Sequence, residues 1–277
     1  MSRRLRLDAE LVRRGLARSR EQASDLIAQG RVTVAGARAG KAATQVTTDQ
    51  AIVVRDAESD PGYASRGAYK LLGALEAFEP LGLSVEGRRC LDAGASTGGF
   101  TDVLLRRGVR EVVAVDVGYG QLVWALQQDP RVDVHDRTNV RDLAPEAIGG
   151  QVELVVSDLS FISLTLVMPA FARLCVDDGD MVLMVKPQFE VGKERVGKKG
   201  VVRDPELHVE AVMGVCTAAA EIGWGTRAVA ASPLPGPTGN VEYFGWFRRD
   251  AAGVTEDEVR AAVDAGPLGR PSGGEQR

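Results

Sequence analysis

The sequence predicts an α/β protein, an open and mainly parallel sheet preceded by a small α+β unit, and three observations carry that reading. The stretch Leu91-Asp92-Ala93-Gly94-Ala95-Ser96-Thr97-Gly98-Gly99-Phe100 runs from an apolar segment through an acid into Gly, Ala, Ser and Thr. Apolar residues then resume at helical spacing at Phe100, Val103, Leu104 and Leu105, which is the pattern of strand, tight turn and helix. A second acid-tipped apolar run, Glu111-Val112-Val113-Ala114-Val115-Asp116, places Asp116 24 positions after Asp92. Beyond it, short apolar runs alternate with helical patterns, as a sheet of crossover units requires.

Composition sets the outer bounds. A chain of 277 residues, 44% hydrophobic and 26% charged, accommodates one full α/β domain plus a smaller one. It contains no run of about eighteen apolar residues, so no membrane span is predicted. Met1-Ser2-Arg3-Arg4-Leu5-Arg6-Leu7-Asp8 lacks the apolar centre of a secretory signal, so residence in the cytoplasm is expected. Cys90, Cys175 and Cys216 are isolated from one another; they read as buried free thiols, and no metal is expected. The net charge of −4 speaks against nucleic acid, but its distribution speaks for it. Residues 1–41 carry ten Lys or Arg against four acids, a balance of +6 that leaves −10 for the rest. A basic module on an acidic body is the asymmetry of an appended phosphate-binding unit.

In chain order, residues 1–56 form the first unit. Leu7, Leu11 and Val12 mark one helix, and Ser19 opens a second as N-cap, with Gln22 placed for a capping box. Ala23, Leu26 and Ile27 are its buried stripe and Gly30 its end. Arg31-Val32-Thr33-Val34 and Ala51-Ile52-Val53-Val54 read as strands. Residues 57–64, with Pro61-Gly62, read as a linker. The second domain spans 65–265, opening with an amphipathic helix that carries Lys70 near its start. Its further strands are Arg131 to Asp136, followed by the polar turn Arg137-Thr138-Asn139, then Val152 to Asp158, Asp180 to Pro187, and a closing antiparallel pair, Thr226 to Ala231 with Glu242 to Phe247. Helices are expected over Ile162 to Cys175 and from Pro205 to about Ile222. Gln121 and Trp124 read as helix packing, and residues 266–277 as a disordered tail.

The glycine turn narrows the chemistry. A dinucleotide site shows Gly-x-Gly-x-x-Gly, whereas this turn runs Gly94-x-x-x-Gly98-Gly99 behind Asp92. An acid beside the turn repels phosphate and suits a cation, which makes S-adenosylmethionine the candidate ligand. The pattern resembles the first motif of Rossmann-like methyltransferases. That resemblance implies cofactor contacts from Asp92, Gly94, Ser96, Gly98, Gly99, Phe100, Asp116 and Asn139.

The segments Arg-Leu-Asp, Ser-Arg-x-x-Ala-x-x-Leu-Ile and Gly-x-Val-x-Val-x-Gly resemble the RNA-binding domain of a small-subunit ribosomal protein, shared by pseudouridine synthases and tyrosyl-tRNA synthetase. By that resemblance Arg6, Arg18, Arg20 and Arg31 face RNA phosphates. Arg66 and, in the loop Gln188 to Asp204, Lys193, Arg195 and Lys198 extend the expected RNA-facing set.

Asp158 and Lys186 end two successive strands, so both should emerge at the ligand-binding edge of the sheet. Spacing alone leaves an ordinary ion pair and a catalytic pair equally open. The ensemble Lys70, Asp158, Lys186 and Glu242 resembles the Lys-Asp-Lys-Glu tetrad of FtsJ-related ribose 2′-O-methyltransferases. The segments Ser-Arg-Gly-x-x-Lys-Leu, Asp-Leu-Ser-Phe-Ile-Ser, Lys-Pro-Gln-Phe-Glu and Gly-Asn-Val-Glu-Tyr-Phe are similar to those of the TlyA family. This resemblance implies methyl transfer from S-adenosylmethionine to the 2′-hydroxyl of cytidines in 16S or 23S ribosomal RNA, or both. Lys186 would be the base, with Lys70 and partial desolvation favouring its neutral form. Asp158 would position the lysines and balance the sulfonium, and Glu242 would orient Lys70 or the ribose. The expected partners are ribosomal RNA and ribosomal subunits, with the free chain a monomer. Amine methylation typically uses Asp/Asn-Pro-Pro-aromatic where this chain has Asp158-Leu159-Ser160-Phe161, and methylation at carbon five of cytosine needs a cysteine nucleophile that none of the three thiols is placed to supply. Two other readings stand beside this one. A cytolysin would leak liposomes, and a catalytically silent ribosome-assembly factor would fail to bind S-adenosylmethionine.

Overall fold

The structure, a computed structural model, describes residues 4–48, 50–54 and 62–266. The expected linker residues 57–61 and tail residues 267–277 lie outside the described residues.

The N-terminal unit holds β1 (Arg4–Arg6), α1 (Leu7–Arg13), α2 (Arg20–Ala28), β2 (Val32–Val34), β3 (Ala37–Arg38), β4 (Gln45–Thr47) and β5 (Ile52–Val54). β2 sits between β3 and β5, and β1 pairs antiparallel with β4. Leu7, Leu11, Ala23, Leu26 and Ile27 from the helices bury against Val32, Val46 and Ile52 to form a core of their own. Ser19 caps α2 by accepting the Gln22 N–H at 3.1 Å. The Gln22 amide oxygen accepts from Arg18 N at 2.7 Å, so it reaches one residue past the N-cap and the reciprocal half of the expected capping box is not made.

The second unit continues with α3 (Gly67–Phe78), β6 (Arg89–Ala93), α4 (Gly99–Arg106), β7 (Glu111–Val115), α5 (Trp124–Gln127), β8 (Val132–His135), β9 (Val152–Ser157), α6 (Met168–Leu174), β10 (Cys175–Val185), α7 (Pro187–Glu190), α8 (Pro205–Glu221), β11 (Gly225–Ala231), β12 (Tyr243–Arg248) and α9 (Glu256–Ala265). Seven strands make one sheet in the order β11-β12-β10-β9-β6-β7-β8. The run from β10 to β8 is parallel, and β12 is antiparallel to both β10 and β11. Strand alternation feeds a core on each face. Leu91 and Ala93 join Phe171, Leu174 and Trp224 on one side. Cys90 joins Leu71, Phe78 and Val103 on the other. Chain order reverses between β6 and β9, and it is at the carboxyl ends of strands flanking such a reversal that open α/β sheets bind ligands.

Three expectations require correction. The helix expected over Ile162 to Cys175 begins only at Met168, after a short 3-10 turn Leu164–Leu166 capped by Ser163. Pro169 explains the late start, since a proline without an N–H belongs in a first helical turn. Cys175 is the first residue of β10, not a helical residue. Trp124 is largely exposed because α5 has only four residues and no second turn to pack.

Candidate active site

The glycine turn after β6 is tight for steric reasons internal to the protein. Gly94 and Gly98 adopt φ of 85° and 98°, a region costly for residues with a Cβ. A Cβ on Gly94 would lie 2.8 Å from the Asp158 carbonyl oxygen, and one on Gly99 would lie 2.4 Å from Ser65 Oγ and 2.8 Å from Ala68 N. These glycines therefore let the turn close onto β9 and onto the start of α3. Phe100 is buried against Phe244, with centroids 6.0 Å apart, and also borders the cavity above the turn.

Asp92 does not face that cavity. It is fully buried and accepts the Thr101 hydroxyl at 2.7 Å, with its second oxygen unpartnered among the described residues. Burial pushes its carboxyl up to about 7, with the Thr101 hydroxyl opposing. The acids at the ligand edge are instead Asp116 and Asp158. Asp116 accepts the N–H groups of Ser96 and Gly118 at 2.8 and 2.7 Å, pinning the glycine turn to the end of β7. With Asn139, Gln121 and Ser96 it lines a cavity of about 490 Å³. Gln121, expected to pack in a helix, faces this space. Asn139 is exposed there, its side chain capping the short turn that follows by accepting from Arg141 N at 3.2 Å.

The four tetrad residues, from α3 and the ends of β9, β10 and the segment entering β12, converge. Lys186 Nζ lies 2.5 Å from Asp158 Oδ1, and Lys70 Nζ lies 3.8 Å from Asp158 Oδ2 and 2.6 Å from Glu242 Oε2. Lys186 also donates to Ser160 Oγ at 3.1 Å. Lys70, Lys186 and Glu242 are buried, and Asp158 is the most open member at 23% side-chain exposure. A second cavity, about 250 Å³, is lined by Lys70, Asp158, Ser160, Lys186, Gly94 to Thr97 and Phe100. It meets the first across Gly94, Ser96, Asp158 and Ser160, which border both. Two carboxylate-edged spaces joined beside two amines suit a cation on one side and a neutral hydroxyl on the other.

Comparison with known proteins decides the family. Residues 63–249 match the model of the FtsJ-like methyltransferases, and residues 5–52 match that of the S4 domain. The chain belongs to the FtsJ-like methyltransferase family. Within that family it is 57% identical over 272 residues, 96% of this chain and all of the other, to the 16S/23S rRNA (cytidine-2′-O)-methyltransferase TlyA of Mycobacterium tuberculosis. It is 36% identical to Hemolysin A of Brachyspira hyodysenteriae over 88% of this chain and 99% of that one. A solved structure from Streptococcus thermophilus, described as a candidate hemolysin, superposes with a TM-score of 0.75 at 36% identity, covering 95% of each chain.

In this FtsJ-like chain the expected RNA-facing residues are mostly tied to acids. Arg6 and Arg20 both bond the Asp8 carboxylate, at 3.0 and 2.9 Å, and the Arg6 bond leads in holding that carboxyl down at about 2. Arg18 donates to the Gly62 carbonyl, Arg66 lies 3.6 Å from Asp25, and Arg195 pairs with Glu210 at 2.6 Å. Arg31 donates to Gln29 at 3.4 Å, and Lys193 stands exposed in a short 3-10 turn. The side chain of Lys198 lies outside the described residues. Glu21 of the N-terminal unit borders the tetrad cavity, and burial raises its carboxyl. Sequence reasoning missed Glu21, Ser160 and Phe161, the last almost wholly exposed at φ 65° against Phe189. The signal for Ser160 and Phe161 lay in the same Asp158-Leu159-Ser160-Phe161 turn used to exclude amine chemistry.

Proposed function

We propose that this chain transfers the methyl group of S-adenosylmethionine to the ribose 2′-hydroxyl of cytidines in 16S or 23S ribosomal RNA, or both. The observation that carries the reading is the convergence of Lys186 and Lys70 on Asp158, in a cavity that the Gly94 turn also lines. The name of the Mycobacterium relative supports the substrate, and the S4 match supports RNA as the partner.

The residues present fit the cofactor. Asp116, Asn139, Ser96 and Gln121 offer hydroxyl- and amine-binding groups in the larger cavity, and Asp158 offers a carboxylate to a cation where the two cavities meet. Bound there, S-adenosylmethionine supplies an electrophilic methyl on a sulfonium. A ribose hydroxyl is a weak nucleophile, so its proton must leave to a positioned base as it attacks. Lys70 has a carboxylate of its own in Glu242, while Lys186 shares Asp158 with Lys70. Lys186 is the amine that Glu242 does not hold, and it borders the cavity beside Ser160, so the base is assigned to Lys186. Glu242 fixes Lys70, and Lys70 in turn crowds Asp158.

The test is Lys186→Ala, assayed for transfer of labelled methyl to ribosomal subunits alongside calorimetric binding of S-adenosylmethionine. Loss of transfer by about 10²–10⁴-fold, the usual worth of a general base, with cofactor binding intact, supports the assignment. Full transfer by that variant removes it.

A further inference from the structure

We propose that Ser160 is a positioning residue that aims the Lys186 amine at the ribose hydroxyl. The inference rests on Lys186 as base. A neutral amine nitrogen carries its carbon, two N–H bonds and one lone pair at tetrahedral corners. Ser160 Oγ at 3.1 Å takes one of the N–H corners, whereas Asp158 Oδ1, 2.5 Å away, is an ion-pair contact that lacks hydrogen-bond geometry. No third polar partner of Lys186 occurs among the described residues. Ser160 is thus the group that fixes rotation about the Cε–Nζ bond, and the corners it leaves open, the lone pair among them, face the cavity that all three residues line. Without Ser160 the amine turns about its Cε–Nζ bond and the lone pair loses its direction.

The backbone argues the same way. Phe161 follows immediately at φ 65°, a left-handed conformation that is strained for a bulky residue. That strained turn folds the chain back at Ser160, whose hydroxyl meets Lys186 from the exposed side of the site. Neither burial nor packing requires a hydroxyl at this exposed position.

In the step itself, the 2′-oxygen forms a bond to the methyl carbon while the carbon–sulfur bond breaks, its electron pair staying on sulfur as a neutral thioether. The hydroxyl proton passes to the Lys186 lone pair, giving the ammonium. Ser160 accepts a hydrogen bond before and after and exchanges no proton.

Steady-state kinetics of Ser160→Ala, Ser160→Thr and Lys186→Ala on ribosomal subunits test the proposal. Ser160→Ala should lower kcat about tenfold, between no effect and the full loss of a base, with KM for RNA and for S-adenosylmethionine changed less than about twofold. Ser160→Thr, which keeps the hydroxyl on an exposed residue, should restore most of kcat. Unchanged kcat in Ser160→Ala, a loss expressed in KM, or an equal loss in Ser160→Thr overturns it. Activity surviving Lys186→Ala overturns the proposed function as well, so the two failures are distinguishable.

Discussion

Lys70 and Glu242 form a buried pair whose two halves are unequally replaceable. Glu242 is 1% exposed, its Oε2 meets Lys70 at 2.6 Å, and its Oε1 has no hydrogen-bond partner among the described residues. Removing the ammonium by Lys70→Met leaves a buried carboxylate with no cation, a loss of about 3–5 kcal/mol for such pairs. Glu242→Gln is milder, because Lys70 keeps Asp158 at 3.8 Å and the amide still accepts; the cost should be about 1–2 kcal/mol. The double variant Lys70→Met/Glu242→Leu removes both charges and should be more stable than Lys70→Met alone. Urea unfolding at pH 7.5 with a common m value reads all three. If Glu242→Gln proves as damaging as Lys70→Met, or the double variant is no more stable than Lys70→Met alone, the pair is not the closed unit described and Lys70 is held by something else.

Two further predictions concern the glycine turn. Asp92 titrates near 7 in the fold against 3.8 unfolded, so the native state keeps a proton that the unfolded chain has lost. Its contribution is complete below about pH 4 and is lost as pH rises through about 7, up to about 4 kcal/mol in all. Asp92→Asn cannot titrate, so its stability relative to the parent chain should rise between pH 4 and 8 in denaturant unfolding; a pH-independent difference would contradict the burial assigned to this acid. Gly99→Ala places a methyl carbon 2.8 Å from Ala68 N, so α4 and α3 must part. A loss of about 1–3 kcal/mol is expected, along with reduced kcat because Lys70 rides on α3, and an alanine variant with parental melting and turnover would show the contact to be slack.

Much of the site was legible because its residues stand at positions that periodicity already marks. Lys70 looks like an ordinary helix lysine, yet it lies four and eight positions before Ala74 and Phe78, both buried in α3, and that stripe places it inward. Helix α9 was missed because only Val259 and Val263 are buried on it, too narrow a stripe to register. Its capping box, Thr255 with Glu258, was the readable sign. The start of α6 was misjudged because apolar residues recur at Ile162, Leu164, Leu166, Val167 and Met168 with only Ser163 and Thr165 between them, so Pro169 is the main mark that distinguishes a helix start from a helix interior.

The three strand-end acids show where such reading stops. Asp92, Asp116 and Asp158 each close an apolar run, and in sequence they are equivalent. In the sheet they are not. β7 ends at Val115 and β9 at Ser157, so Asp116 and Asp158 stand one residue beyond their strands and project over the edge. β6 runs on to Ala93, and Asp92 is still paired, opposite Ala114 on one side and Val156 on the other. A paired residue points to a face of the sheet, not off its end, and that face is covered by α4, whose Thr101 takes the carboxylate. One residue of strand length thus separates an acid that can meet a cation from one that braces the turn beneath it. Strand length at that resolution is decided by the partners on either side, which a single apolar run does not encode.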